Sequence, residues 1–267
     1  KFNGKVHYIE HHLSHLASAH LVSPFKNSIA ISIDGFGDFS SSAWGACEND
    51  IIKVDKRVFF PHSLGIFYQA LTQFIGFPNY GDEYKVMGLA PYGKPSFLDK
   101  MRDIVLLNND GTFNLNLKYF LHHNTKIDYQ WSSGSPVVGS LFNIKELESL
   151  LGVKARNSSD ELNSSHFDLA NSIQAMYEEA FFNILEAAYK KHKVENLTLA
   201  GGCAMNSVAN GKVYRRSSYK KVYIQSAAGD AGGAIGAAFI VSKNVEGISN
   251  RFYMDHAYWG PSFNNDY

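Results

Sequence analysis

Three histidines stand close together near the start of the chain: His11, His12 and His15. Helical positions four apart share a face, so His11 and His15 can present two imidazole nitrogens to one ion, while His12 points about 100° away. The bland alternative is a polar helix rim, because histidine is both the commonest metal ligand and a common surface residue. The spacing is not the H-E-x-x-H of zinc proteases, which needs glutamate where His12 stands. Two aspartates can complete a site. Asp34 closes an apolar run and precedes Gly35, and Asp230 lies in Ala228-Gly229-Asp230-Ala231-Gly232-Gly233 after another run. Aspartate before glycine is also ordinary turn chemistry. Two imidazoles with two carboxylates suit a divalent ion such as iron, manganese or zinc, and disfavour thiolate-seeking ions.

Glycines Gly35/Gly37, Gly201/Gly202 and Gly229/Gly232/Gly233 each follow an apolar run, and the last two groups open helical stretches. Free backbone N–H groups and the helix dipole favour phosphate there. None of the three is a P-loop or a G-x-G-x-x-G fingerprint, and tight turns or close packing also call for glycine. Glu83 and Lys85 flank Tyr84 in a loop-like segment bounded by glycine and proline. The lysine can pair with a phosphate or acyl oxygen while the glutamate orients it. The alternative is an exposed ion pair worth at most about 1 kcal/mol. Cys203 follows a Gly-Gly pair with no activating base beside it in sequence, so burial is expected rather than nucleophilic chemistry.

The elements that must hold these residues follow from periodicity. Residues 5–10 alternate like a strand, and 11–22 carry Leu13, Leu16, Ala17 and Leu21 at helical spacing. A strand over 28–33 should stop at the turn 34–38, with further strands at 41–48 and 51–60 completing an antiparallel meander. Helices are expected over 63–76 and near 96–107, with loop-like 81–93 between them. Between about 108 and 160 the pattern weakens into an irregular insertion. A long amphipathic helix spans 166–193 through Leu169, Ile173, Met176, Ala180, Phe181, Ile184 and Ala188. Strand 196–200, a helix from about 203 to 213, strand 221–225, the turn 229–233 and helix 234–241 then alternate, which argues for parallel pairing.

The order of these elements is that of an α/β RNase H-like lobe, the half-unit of the ASKHA (actin-like ATPase) superfamily, with a mixed sheet flanked by helices. On that reading residues 1–26 are the tail of a first lobe, 27–245 a second lobe, and 246–267 a C-terminal extension. The 267 residues allow one large domain or two small lobes. Twenty-five basic residues balance 25 acidic ones, so no bulk field draws the chain to nucleic acid or anionic lipid. Two cysteines, Cys47 and Cys203, make no disulfide framework or metal knuckle and point to a reducing, cytoplasmic setting. No run reaches the ~18 apolar residues of a membrane span, and no secretory signal opens the chain.

Residues 11–19 (HHLSHLASA), 34–38 (DGFGD), 81–93 (GDEYKVMGLAPYG), 199–207 (LAGGCAMNS), 227–238 (AAGDAGGAIGAA) and 258–262 (YWGPS) together resemble the NodU/CmcH/TobZ carbamoyltransferase family. Such proteins join an ASKHA-type domain, related to TsaD and HypF, to a YrdC-like domain. The second makes carbamoyladenylate from carbamoyl phosphate and ATP, and the first passes the carbamoyl group to an acceptor hydroxyl on a small molecule or sugar. The resemblance implies a divalent metal held by His11, His15, Asp34 and Asp230, with iron first and manganese, zinc or magnesium as alternatives. It also implies adenylate loops at Gly35, Gly37, Gly201, Gly202, Asn206, Gly232 and Gly233, with Glu83 and Lys85 orienting the acyl or phosphate end. The family's N-terminal His-Asp block and its YrdC-like domain have no counterpart in these residues. The chain is therefore expected to lack full transfer from carbamoyl phosphate and ATP, and exposed apolar surface would allow a homo-oligomer. Rival readings are an ASKHA kinase or ATPase and a non-catalytic nucleotide-binding scaffold.

Overall fold

The first strand sorts its residues by parity, as a pleated backbone must. Ile29, Ile31 and Ile33 enter the main core, whereas Ser28, Ala30 and Ser32 face a helix that lies across the sheet. The computed structural model describes residues 3–131, 134–247 and 251–264. Its elements begin with α1 (His11–His20), the hairpin strands β1 (Asn27–Gly37), β2 (Ser40–Glu48) and β3 (Ile51–Phe59), then α2 (Leu64–Phe74) and α3 (Glu83–Leu89). A small-element region follows: α4 (Leu98–Ile104), β4 (Val105–Leu107), β5 (Phe113–Leu115), β6 (Tyr129–Gln130), β7 (Val137–Val138) and α5 (Ile144–Leu151). The chain then runs through α6 (Ser164–His192), β8 (Asn196–Ala200), α7 (Ser207–Asn210), α8 (Val213–Arg216), β9 (Lys221–Ile224) and α9 (Asp230–Glu246).

Five strands form a mixed sheet in the order β3-β2-β1-β8-β9. β1, β2 and β3 pair antiparallel, while β8 pairs parallel with β1 and β9 parallel with β8. Helices cover both faces: α1 and α9 pack against each other on one side, and α2 and α6 on the other. The larger core lies under α2 and α6, where Phe67, Leu71, Ile173, Tyr177 and Phe181 meet the isoleucines of β1.

Several boundaries differ from the sequence pattern, each for a local reason. Residues 5–10 alternate but form no strand; they have no ladder partner among the described residues, and a strand without one is not stable. β1 runs on past Asp34 to Gly37 through a register shift, and the reversal falls at Asp38 and Phe39, both with positive φ. The segment expected as a loop at 81–93 is α3 followed by a 3-10 turn at Ala90–Tyr92. One helix expected over 203–213 is three short turns, because the Asn206 side chain accepts from Ala209 N and starts a new helix there. α9 begins at Asp230 rather than Ala234, so Asp230, Gly232 and Gly233 sit in its first turns. The long helix α6 matches its pattern, opened by an Asn163/His166 capping box and closed by Lys193 in the left-handed region. Lys1, Phe2, residues 248–250 and 265–267, which belong to the expected terminal segments, lie outside the described residues.

Past α9 the chain folds back on the sheet end of α1. The Arg251 guanidinium donates to the carbonyls of His20, Ser23, Phe25 and Asn49, and Met254 N donates to Val22 O. Among the described residues no helix is long and apolar enough to cross a membrane.

A buried carboxylate fastens the end of α6 to β3. Asp55 accepts from Lys191 Nζ at 2.6 Å and pairs with the His192 ring. Burial pushes the Asp55 carboxyl up, but these hydrogen bonds outweigh it and hold the group below its ordinary value. The folded pKa thus lies under the unfolded value of about 3.9, so this stabilisation is present above that pH and lost as pH falls through the folded pKa. Asp55→Asn is expected to lower the melting temperature at pH 7, and the gap to the unmodified protein should narrow below about pH 4. Thermal melts across that range read it directly; a gap constant with pH would contradict the assignment.

Candidate metal centre

Everything about the site starts at the N-terminus of α1. Glu10 caps the helix, its carboxylate accepting from His12 N at 3.1 Å and Leu13 N at 2.7 Å. Arg57 on β3 holds that carboxylate with two nitrogens, at 2.9 and 3.1 Å. His11 N donates to Asp38 Oδ2 at 2.8 Å, tying the same turn to the β1–β2 reversal. With its start pinned this way, α1 places His11 and His15 one above the other, their Nε2 atoms 3.1 Å apart.

Asp34 Oδ2 lies 3.0 Å from both Nε2 atoms, and Asp230 Oδ1 lies 3.6 Å from His11 Nε2 and 3.5 Å from His15 Nε2. One ligand atom from each of the four residues falls within 4.8 Å of the others. A cation with bonds of about 2.0–2.2 Å puts neighbouring ligands roughly 2.9–3.6 Å apart, tetrahedral or octahedral. The four side chains therefore fit a divalent cation at their centre. Asp34 is held from the far side, its Oδ1 accepting from Gly202 N at 3.1 Å, while Ser63 Oγ donates to its carbonyl at 3.1 Å. Asp230 is 72% exposed and opens the cluster onto a cleft of about 380 Å³ lined by Ile9, Ser14, Asp38 and Gly233.

The charges agree with this arrangement. The hydrogen bond to Asp34 raises the His11 imidazole above its ordinary value against the opposing effect of burial. Burial pushes Asp34 up, yet its hydrogen bonds to His11 and His15 hold it well below the usual carboxylate range. Burial, then the neighbouring charge of Asp34, raises Asp230. Two carboxylates facing two imidazoles make a place where positive charge is favoured.

The glycines divide into those that pack and those that leave room. An added Cβ on Gly37 would meet the His11 ring at 2.0 Å, so this glycine is what lets the imidazole lie against β1. Gly201 and Gly232 press on the carbonyls of Ile33 and Ala227, a Cβ on Gly233 would lie 3.9 Å from Ser14 Cβ in ordinary contact, and Gly35 faces open space. Asn206 is buried and its amide is engaged by Gln174 and Ala209 N, so its role here is to hold the turn after β8. Gly236, absent from the sequence-derived site, matters as much. A Cβ there would lie 1.9 Å from Ser14 O, a backbone atom of α1. Gly236→Ala should push α9 off α1 at a cost of about 1–3 kcal/mol and draw Asp230 away from the histidines. Urea unfolding and equilibrium dialysis with a divalent metal would show both effects; unchanged metal affinity would refute the second.

Glu83 and Lys85 do not pair with each other. Lys85 Nζ lies 2.6 Å from Asp82 Oδ1, and Asp82 is buried at the start of α3. Glu83 is in no ion pair among the described residues, and burial first, then the charge of Asp82, raises its carboxyl above the ordinary value. Cys203 is a free thiol of intermediate exposure, and burial raises its pKa well above the ordinary value.

Residues 1–239 match the model of the family described as the carbamoyltransferase N-terminus. The chain belongs to this carbamoyltransferase family. It is 31% identical to the nodulation protein NolNO of Sinorhizobium fredii over 265 residues, covering 98% of this chain and 35% of that protein. A protein of Synechocystis sp. described as uncharacterized is 37% identical over 262 residues, covering 96% and 40%. Among solved structures, HypF of T. kodakarensis aligns with a TM-score of 0.42 and 17% identity over 90% of this chain and 37% of that one. The chain thus spans well under half the length of these relatives.

In this carbamoyltransferase-family chain, sequence reasoning missed Glu10, Arg57 and Asp82. Glu10 carried a signal, an acceptor directly before a helical run, which is where a cap belongs. Arg57 carried none, because a strand arginine becomes a helix-cap partner only when the hairpin folds over α1.

Proposed function

We propose that this chain is the transferase portion of an O-carbamoyltransferase, moving a carbamoyl group from carbamoyladenylate to a hydroxyl of a small molecule or sugar. The observation that carries the reading is the convergence of His11, His15, Asp34 and Asp230 where the apolar part of β1 ends, in a chain of a carbamoyltransferase family. The strand order β3-β2-β1-β8-β9, antiparallel then parallel, supports an RNase H-like lobe of the ASKHA class. Ligands of such open α/β sheets bind outside the carboxyl ends of the strands, where Asp34 and the turn after β8 lie.

A divalent cation, iron or manganese by the nitrogen and oxygen donor set, would be held by these four residues and would supply Lewis-acid polarisation of the carbamoyl carbonyl or the adenylate phosphate. Gly35, with nothing within 4 Å of an added Cβ, leaves space for the adenylate beside the cluster. Glu83, a half-buried carboxylate with a raised pKa and in no ion pair among the described residues, takes the proton of the acceptor hydroxyl. In balance, the acceptor oxygen bonds to the carbamoyl carbon, the carbon–oxygen bond to phosphate breaks, and AMP leaves. Lys85, bound to Asp82, orients the segment that carries Glu83.

Carbamoyladenylate would come from a YrdC-like partner domain acting on carbamoyl phosphate and ATP. The test is a transfer assay on this chain with synthetic carbamoyladenylate, a panel of sugar acceptors and added divalent metal. Expected is metal-dependent release of AMP with a carbamoylated product, while carbamoyl phosphate with ATP gives none. Product phosphorylation with ATP would point instead to a kinase.

A further inference from the structure

The face of α1 that meets the sheet is polar where a helix–sheet contact is usually apolar, and its polar groups come in register. His12 Nδ1 lies 2.9 Å from Ser32 Oγ, and His20 Nδ1 lies 2.8 Å from Ser28 Oγ. All four residues have zero solvent exposure. Between the two pairs, Leu16 packs on Ala30. One step further along the strand, Asp34 meets His11 and His15. The two elements therefore run past each other as a zipper: Ser28 with His20, Ala30 with Leu16, Ser32 with His12, and Asp34 with the two ligand histidines.

The spacing is commensurate. Eight residues of helix rise about 12 Å and four of strand about 13 Å, so both pairs close at once only in this one register. The rest of the contact is built from Leu16, Ala30, Ala43 and Cys47, whose burial is non-directional and would tolerate sliding or rotation of the helix. A rotation of one residue, about 100°, would carry both ligand histidines off Asp34.

We propose that the His12–Ser32 and His20–Ser28 pairs are a two-point register lock, making His12 and Ser32 positioning residues for the metal centre although neither is one of its four ligands, the His12 ring lying 5.2 Å from that of His11. The inference rests on the metal reading of His11, His15, Asp34 and Asp230. It assigns these buried histidines a role that packing alone does not require. Hydrogen-bonded partners around a metal site typically change affinity roughly 10- to 100-fold when removed.

The test uses the full 267-residue chain and Co²⁺ alone as probe, read by equilibrium dialysis and by the visible spectrum of the bound ion. In the double variant His12→Leu/Ser32→Ala both partners become apolar, a change that can be nearly neutral for stability. Expected is a melting temperature close to that of the unmodified chain, with Co²⁺ affinity lower by about 10-fold or more and an altered spectrum. The single variant His12→Asn, which keeps a polar atom near the Nδ1 position, should recover most of the affinity. His20→Leu/Ser28→Ala, further from the centre, should act in the same direction but less. Unchanged Co²⁺ affinity and spectrum in the double variant would overturn the lock. If the double variant does not fold, Ser32→Ala alone decides: affinity and spectrum unchanged overturn the lock, and weakened affinity at unchanged folding supports it. Failure of the unmodified chain itself to bind Co²⁺ would instead remove the metal reading on which the lock depends.

Discussion

Asp34→Ala is expected to remove divalent-metal binding almost entirely, a loss of more than about 100-fold, beyond what partners outside the coordination sphere usually contribute. The reason is its position. Its Oδ2 is 3.0 Å from both imidazole Nε2 atoms, and its Oδ1 is fixed by Gly202 N, so it is the one ligand that touches both histidines and is itself anchored to the sheet. Asp230 stands farther off, at 3.5 and 3.6 Å, and is 72% exposed. Asp230→Ala should therefore weaken binding less than Asp34→Ala. His11→Ala/His15→Ala should match Asp34→Ala in metal loss and should also remove affinity for carbamoyladenylate. Were the centre only a structural staple in a nucleotide-binding scaffold, the same variants would mainly lower the melting temperature by loss of ligand-linked stability. Isothermal titration with Mn²⁺ or Fe²⁺ and a melting curve for each variant separate these cases. Equal affinities for Asp34→Ala and Asp230→Ala would contradict the geometry.

Glu83→Gln should reduce the transfer rate by roughly 10²- to 10⁴-fold, the usual range for loss of a general base. The variant keeps the shape of the side chain and leaves all four metal-ligating residues in place, so metal affinity should not change. That split between rate and metal binding is what separates a base from a residue that merely supports the fold. The pH profile adds an independent reading. Burial raises the Glu83 carboxyl, so the unmodified protein should lose activity as pH falls through a value above the ordinary glutamate range, about 4.3. In Glu83→Gln the residual activity should lack that acidic limb. An unchanged rate, or an acidic limb that survives the substitution, would exclude Glu83 as the base.

The divergences between pattern and fold have one kind of cause. Helical spacing told which of the three histidines share a face, and the apolar run of β1 told that Asp34 sits at its end. Both are local properties, written in periods of 3.6 and 2. Where the pattern misled, a partner from elsewhere decided the outcome. Residues 5–10 alternate like a strand but have no ladder partner among the described residues. Lys85 turns to buried Asp82 instead of Glu83. Glycines that resemble phosphate loops differ among themselves: Gly37 and Gly232 make room for the His11 ring and the Ala227 carbonyl, while Gly35 stays open.

Taken by itself, the sequence determined the residue types of the site, their faces on α1 and their places at the ends of apolar runs, because side-chain direction follows backbone period. Only the tertiary structure decided that Asp230 reaches His11 and His15. That closure depends on Gly236 letting α9 press on Ser14 O, on Arg57 clasping the Glu10 cap, and on serines of β1 meeting His12 and His20. These contacts join segments far apart in the chain, and a distance between such segments is set by packing and directional hydrogen bonds that no local period encodes.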